Sequence, residues 1–182
     1  MRWRDTAERF GTVSIINHWL LAAVVIGLLA SGLIIGELVG EGAIRNALLG
    51  PHKAVGVLVL ALVAWLPLWW ALQGDRPGAI PGTPPLEAFA RKAMHVVLLA
   101  GTAILTLSGI VMATFKGNPV DAWLFTIPAQ SKTPWLASAA NDVHVIGGWI
   151  LTAAVVGHAL VALKHHLVNH DATLARMIGK TA

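Results

Sequence analysis

The sequence predicts an all-α fold, a transmembrane four-helix bundle. Two observations lead there. Hydrophobic residues make up 56% of the 182-residue chain and charged residues only 12%, where soluble domains carry about 25% charged residues. The charges are also segregated. No Asp, Glu, Lys or Arg falls within Trp19–Ile35, Ala54–Leu72, Val96–Phe115 or Val143–Leu163. At about 1.5 Å per residue each run crosses, or nearly crosses, a hydrocarbon core of about 30 Å. In lipid the backbone must satisfy its own polar groups, so such runs are helices.

The first span lies near 12–37. It is too long for the apolar part of a signal peptide, and no small-residue cleavage site follows it before the loop, so it is expected to stay. The second span, near 52–73, contains Pro67, which is expected to kink it. The loop "GDRPGAIPGTPP" that follows is short and rich in Pro and Gly, a turn between helices and not a domain linker. The third span lies near 92–115. The stretch from Lys116 to Asn141 is expected to lie folded on the membrane surface, with Trp123 and Trp135 at headgroup level. The fourth span lies near 142–167. Residues 1–182 read as one membrane domain without tandem repeats. Most of the eight tryptophans, Trp65, Trp69 and Trp70 of the second span among them, read as an aromatic belt and lipid-facing bulk.

Orientation follows from Lys and Arg. Arg2, Arg4, Arg9, Arg76, Arg91, Lys92, Lys164, Arg176 and Lys180 fall on one side; Arg45, Lys53, Lys116 and Lys132 fall on the other. The positive-inside rule therefore puts both termini in the cytoplasm. A pI near 10.0 reflects this membrane-facing charge. It does not point to nucleic acid, since no basic run interleaves with aromatics. The chain has no cysteine, which excludes disulfides, thiolate clusters and covalently attached haem.

Chemistry is concentrated in the histidines, at 18, 52, 95, 144, 158, 165, 166 and 170. His144 and His158 lie fourteen residues apart in the fourth span, a rise of about 21 Å and a rotation about 40° short of four full turns. The two rings project from nearly the same face at opposite membrane depths. His52 opens the second span at the depth of His144. His18 and His95 lie at the depth of His158. Two layers result: His52 with His144, and His158 with His18 or His95. Imidazoles inside a membrane face the bundle interior, and these have no acidic partner within the spans. Each layer suits the two axial ligands of a b-type haem lying between helices. The bundle would then enclose two stacked haems. Residues four apart share a helix face. The small neighbours Gly56, Gly148, Ala162 and Ala22 flank His52, His144, His158 and His18, whereas Leu99 flanks His95. This favours His18 over His95, although small residues also serve plain helix packing. His166 and His170 read as a solvated basic stretch. His165, two turns beyond His158, and His95 are candidates for the edge of the cytoplasmic haem or of a bound quinone. Arg91 and Lys92 are candidates for haem propionates or a quinone head, beside their role in topology. A zinc site fits less well, because no carboxylate or thiolate lies at depth.

The pieces "SIINHWLLA", "PHKAVGVLVL", "MHVVLLAGTAILTLSGIVM" with "KGNP", "DVHVIGGWILTAAVVGHALVALKHH" and "DATLARM", in this order and spacing, resemble the bacterial cytochrome b561 family over nearly the full length. That resemblance implies a four-helix inner-membrane cytochrome with two b haems per chain. It implies ligation by His18 with His158 on the cytoplasmic side and by His52 with His144 on the periplasmic side, with His95 and His165 near the quinone. It also implies electron transfer between a donor, superoxide in at least one member, and ubiquinone or another quinone. The chain departs from the family in one respect. Members often carry arginines toward the cytoplasmic end of the second helix, which here reads "WLPLWWALQGDR", with Arg76 the first. On the periplasmic side Arg45, Lys53, Lys116 and Lys132 are offset by Glu37, Glu41, Asp121 and Asp142, so net charge does not steer an anion there.

The reading is a transmembrane di-haem b cytochrome, with superoxide:quinone oxidoreductase activity one form of it. Its partners are the lipid bilayer and a quinone; a redox partner protein and a homodimer stay open. Two rivals stand beside it: a haem-bearing anchor subunit of a larger dehydrogenase or hydrogenase complex, and a metal-ion transporter that uses the histidine layers.

Overall fold

In the computed structural model, residues 2–74, 76–80 and 82–179 are described. Lys180 of the charge tally, and the outermost ends of the predicted domain, lie outside them. Four long helices dominate: α1 (Thr12–Leu33), α2 (Ala43–Leu72), α3 (Pro85–Phe115) and α4 (Pro134–Leu167). A π-helical turn, Ile34–Leu38, extends α1. A two-residue hairpin, β1 (Val120–Asp121) with β2 (Thr126–Ile127), and a short α5 (Thr173–Met177) complete the chain. All four long helices are long and apolar enough to cross a membrane.

Three of these helices start earlier than their hydropathy implied. α2 begins at Ala43 instead of near 52, α3 at Pro85 instead of near 92, and α4 at Pro134 instead of near 142. Hydropathy marks where lipid begins, and a helix does not end there. Pro85 and Pro134 occupy the first turn of α3 and α4, where the N–H they lack has no intrahelical partner anyway. α2 continues as helix through both Pro51 and Pro67.

The helices form a ring in chain order, each packed on the next, with α4 closing back on α1. The α3–α4 seam is the most extensive. Its small residues explain why: a Cβ on Gly101 would stand 3.1 Å from Leu151, and one on Gly147 would stand 3.3 Å from Leu105. Small residues let helix backbones approach closely where no hydrophobic drive separates protein from lipid. Thr102, Thr106 and Thr114 return their hydroxyls to carbonyls of α3 itself, so the seam holds no unsatisfied hydroxyl from them.

The middle of the bundle is an apolar plug of Val25, Val59, Leu105 and Leu151. At one end, the hairpin end, Val57 and Ala113 receive Val120 and Ala122. The 116–133 segment is thereby pinned across α2 and α3 with Trp123 exposed, while Trp135 stands exposed in the first turn of α4. The Asp121 carboxylate accepts from the Trp123 N–H at 2.8 Å and holds that residue at φ 63°. At the other end, the terminal end, residues 2–11 and α5 gather. The Trp19 indole donates to the Met177 carbonyl at 2.8 Å. The Trp69 indole donates to Ser14 Oγ at 2.9 Å. These two tryptophans are helix ties, beyond the lipid-facing role expected of them.

Candidate functional site

The plug residues sit at heptad distance from the histidines. Val25 follows His18 by seven residues, Val59 follows His52 by seven, and Leu151 lies midway between His144 and His158. Two turns of helix keep a residue on nearly the same face. Each histidine therefore shares the inward face of its helix with a core residue. The plug separates one imidazole pair at the hairpin end from another at the terminal end.

At the hairpin end the ring centres of His52 and His144 are 6.2 Å apart, with planes at 84°. At the terminal end those of His18 and His158 are 6.3 Å apart, at 58°. A metal–nitrogen bond of about 2 Å on each side, plus the reach to each ring centre, sets two trans imidazoles roughly 6 Å apart. Both pairs match this spacing. His95 and His158 are also adjacent, but nearer, at 5.2 Å.

The hydrogen bonds fix the tautomers at the hairpin end. Ser31 Oγ donates to the Leu28 carbonyl at 3.0 Å. Its lone pair then accepts from His52 Nδ1–H at 2.9 Å. His144 Nδ1 lies 2.8 Å from the Leu105 carbonyl, which can only accept, and Ser108 Oγ lies beside it at 3.2 Å. In both rings the Nδ1 proton is tied back, and Nε2 keeps its lone pair for a metal. Ligating histidines are commonly oriented by such an outer bond. His95 Nδ1 bonds the Arg91 carbonyl at 2.7 Å in the same manner.

Two glycines complete the arrangement. A Cβ on Gly32 would stand 3.3 Å from His52 Cε1, and one on Gly109 would stand 3.0 Å from His144 Cε1. The dipeptides Ser31-Gly32 on α1 and Ser108-Gly109 on α3 thus play one part twice: the serine holds the imidazole of the next helix and the glycine gives it room. The neighbours expected from spacing alone, Gly56 and Gly148, meet nothing within 4 Å. A flat group beside either ring would find no side chain of theirs in its way. At the hairpin end the paired Nε2 donors, their roughly 6 Å spacing and the glycine-lined flanks fit a b haem, and at the terminal end the 6.3 Å ring spacing fits one as well.

Other expected residues fall elsewhere. His165 is not part of the terminal-end pair. Its Nδ1 lies 2.5 Å from Asp171 Oδ2 and its Nε2 3.5 Å from Glu87 Oε1. It ties α4 to the tail and to the first turn of α3. His166 and His170 are exposed. Arg76 folds back over the Trp70 ring, 4.5 Å from its centre. Asn17 Nδ2, on the residue before His18, is buried without a partner among the described residues. Among those residues no three His, Asp or Glu side chains converge as ligands for a bare metal ion.

Comparison with known proteins identifies the family. The family model for prokaryotic cytochrome b561 matches residues 9–180. "Cytochrome b561 homolog 2" of Escherichia coli (strain K12) is 30% identical over 184 residues, covering 100% of this chain and 97% of that protein. "Cytochrome b561 homolog 1" of the same organism is 23% identical over 172 residues, covering 94% and 97%. With four membrane-crossing helices and a family match over nearly its whole length, the chain belongs to the prokaryotic cytochrome b561 family, the haem-binding membrane cytochromes of electron transfer.

Proposed function

We propose that the chain is a single-domain, di-haem b cytochrome of the bacterial inner membrane that passes electrons between a periplasmic donor and a quinone. The observation that carries this reading is the pair of opposed imidazoles at each end of the bundle, 6.2 and 6.3 Å apart. His52 and His144 would hold the haem at the hairpin end, His18 and His158 the one at the terminal end. The charge asymmetry supports a periplasmic hairpin end and cytoplasmic termini.

Haem supplies reversible one-electron chemistry, and two imidazoles per iron leave no open position for binding oxygen. The protein's part is to hold each ring by Nδ1, to keep the apolar plug dry between the layers and to manage protons at the quinone. Reducing a quinone takes two electrons and two protons, and two superoxide ions, each giving one electron and leaving as dioxygen, would supply the former. His95 and His165, the latter clasped by Glu87 and Asp171, are the proton-carrying groups at the terminal end. A periplasmic redox protein is the other candidate donor.

A reduced-minus-oxidised spectrum of the purified protein, with haem counted as its pyridine complex, tests the reading. Two b haems per chain are expected. A colourless protein would end the cytochrome reading for this chain.

A further inference from the structure

The two layers hold their imidazoles by different means. At the hairpin end, Ser31 and the Leu105 carbonyl fix the Nδ1 atoms of His52 and His144. At the terminal end no hydrogen bond reaches His18 among the described residues. Its ring is met edge-on by Trp19 instead, with centres 5.3 Å apart and planes at 85°. Rotation of an imidazole about its Cβ–Cγ bond is soft, so a ligand ring needs a neighbour to set its plane. Edge-to-face packing is a favoured arrangement of two aromatic rings.

Trp19 can set that plane only if it is itself fixed. Its side chain is 45% exposed, and what stops it from turning is the tail. The indole Nε1–H donates to the Met177 carbonyl at 2.8 Å. An indole has that one donor and no acceptor, so the bond selects one orientation. α5, which carries Met177, is held in turn. Asp171 accepts from His165 of α4 and from the Thr173 N–H at the start of α5. Arg176 donates to the Glu8 and Gly78 carbonyls. Beyond α5, Gly179 lies against Ile15, one turn before Trp19 on α1; a Cβ there would stand 3.7 Å from Ile15 Cδ1. The tail therefore runs from α4, which carries His158, to α1, which carries His18. The α1–α4 seam that it bridges is the slightest of the four in the ring.

We propose that Trp19 is a positioning residue for the terminal-end haem: held by the Met177 carbonyl, its indole sets the plane of the His18 imidazole. The tail thereby braces one layer and not the other. The inference rests on the di-haem reading. It adds to that reading a tryptophan that the sequence marked only as part of an aromatic belt.

The full-length solubilised protein tests this, with wild type, Trp19→Phe and Trp19→Leu compared. Phe keeps a ring edge but loses the bond to the tail; Leu loses both. His144→Ala and His158→Ala backgrounds, which leave only the terminal-end and only the hairpin-end haem, assign the signals. Two quantities are read: the rate of haem transfer to excess apomyoglobin, and the electron paramagnetic resonance of the ferric haem, whose g values follow the angle between its axial imidazole planes. In Trp19→Leu the terminal-end haem should transfer about tenfold faster or more, as for loss of a group that orients a metal ligand. Trp19→Phe should show a smaller increase. The g values of that haem should shift in both variants, while the hairpin-end haem keeps its rate and its g values. Asp171→Asn, which loosens the tail without touching α1, should shift the same g values. Unmoved rate and g values of the terminal-end haem in both Trp19 variants would overturn the proposal. Equally faster transfer of both haems with unmoved g values would overturn it too, assigning Trp19 to general packing of the bundle. A wild type without two haems would instead overturn the proposed function, and this inference with it. Where neither Trp19 variant accumulates, Asp171→Asn decides alone.

Discussion

A methyl group on residue 109 would stand 3.0 Å from His144 Cε1 and 3.2 Å from its Nδ1. Gly109→Ala therefore has to push the ring away from the Leu105 carbonyl that holds it. We expect that variant to bind one haem per chain instead of two, counted as the pyridine complex, while the His18–His158 layer stays filled. Two full haems in Gly109→Ala would show that the ring has slack, and would count against ligation by His144. Ser31→Ala is a milder test. It removes the acceptor for His52 Nδ1, and loss of such an outer bond costs about 10–100-fold in metal affinity. Haem should pass to excess apomyoglobin faster by a similar factor; an unchanged transfer rate would mean Ser31 does not orient His52. The histidine layers stood out in the sequence because a pair of rings at each of two depths is harder to explain than a single interfacial histidine. Ser31-Gly32 and Ser108-Gly109 did not. A Ser-Gly pair in a membrane helix reads as ordinary small-residue packing, and only the facing helix shows what the pair is for.

The tail is held to the bundle by few bonds, and one of them is sensitive to acid. Burial alone would raise the Asp171 pKa. Hydrogen bonds from the Thr173 side chain and backbone, and from His165, outweigh it and hold the carboxyl below its usual range. A carboxyl with a depressed folded pKa adds stability above its unfolded value of about 3.9, and that stability is lost as pH falls through the folded value. Attachment of residues 168–179 should therefore weaken as pH falls below about 4. Hydrogen exchange of that segment at pH 3, 4 and 6 would show it, and Asp171→Asn should exchange fast at all three. Equal protection at every pH would mean that Trp19 and Arg176 hold the tail unaided. Which helices exist was plain from hydropathy, but their ends were not. The predicted span near 142–167 caught the lipid-crossing part of α4 and missed its first turns from Pro134, where Ala137 and Ala140 pack inward and Trp135 stays exposed. The hairpin Val120–Ile127 escaped as well, because two-residue strands carry no periodicity to read.

Across the whole molecule the two layers make sense only as a pair. His144 and His158 share one face of one rigid helix, about 21 Å apart along its axis, and the plug of Val25, Val59, Leu105 and Leu151 fills the distance between them. In the proposed reading, electrons pass between the layers across this apolar plug. The heptad spacing that aligns histidine, core residue and histidine was in the sequence. The partner of His158 was left open there, since depth alone cannot separate His18 from His95. The 6.3 Å spacing of His18 and His158, against 5.2 Å for His95 and His158, supports His18 in the proposed ligation. His18→Ala is accordingly expected to lose the terminal-end haem, while His95→Ala keeps both. Their behaviour in sealed vesicles then tests the molecule as a wire. With ferricyanide enclosed in proteoliposomes and a quinol outside, the wild type should reduce the enclosed ferricyanide. His144→Ala and His158→Ala each break one layer and should both fall to the protein-free rate, although each retains one haem. His95→Ala should retain electron passage once a soluble one-electron donor replaces the quinol, because the histidine it removes serves the quinone and not the iron. Transfer that survives the loss of either layer would mean that electrons enter and leave on the same side, through one haem alone.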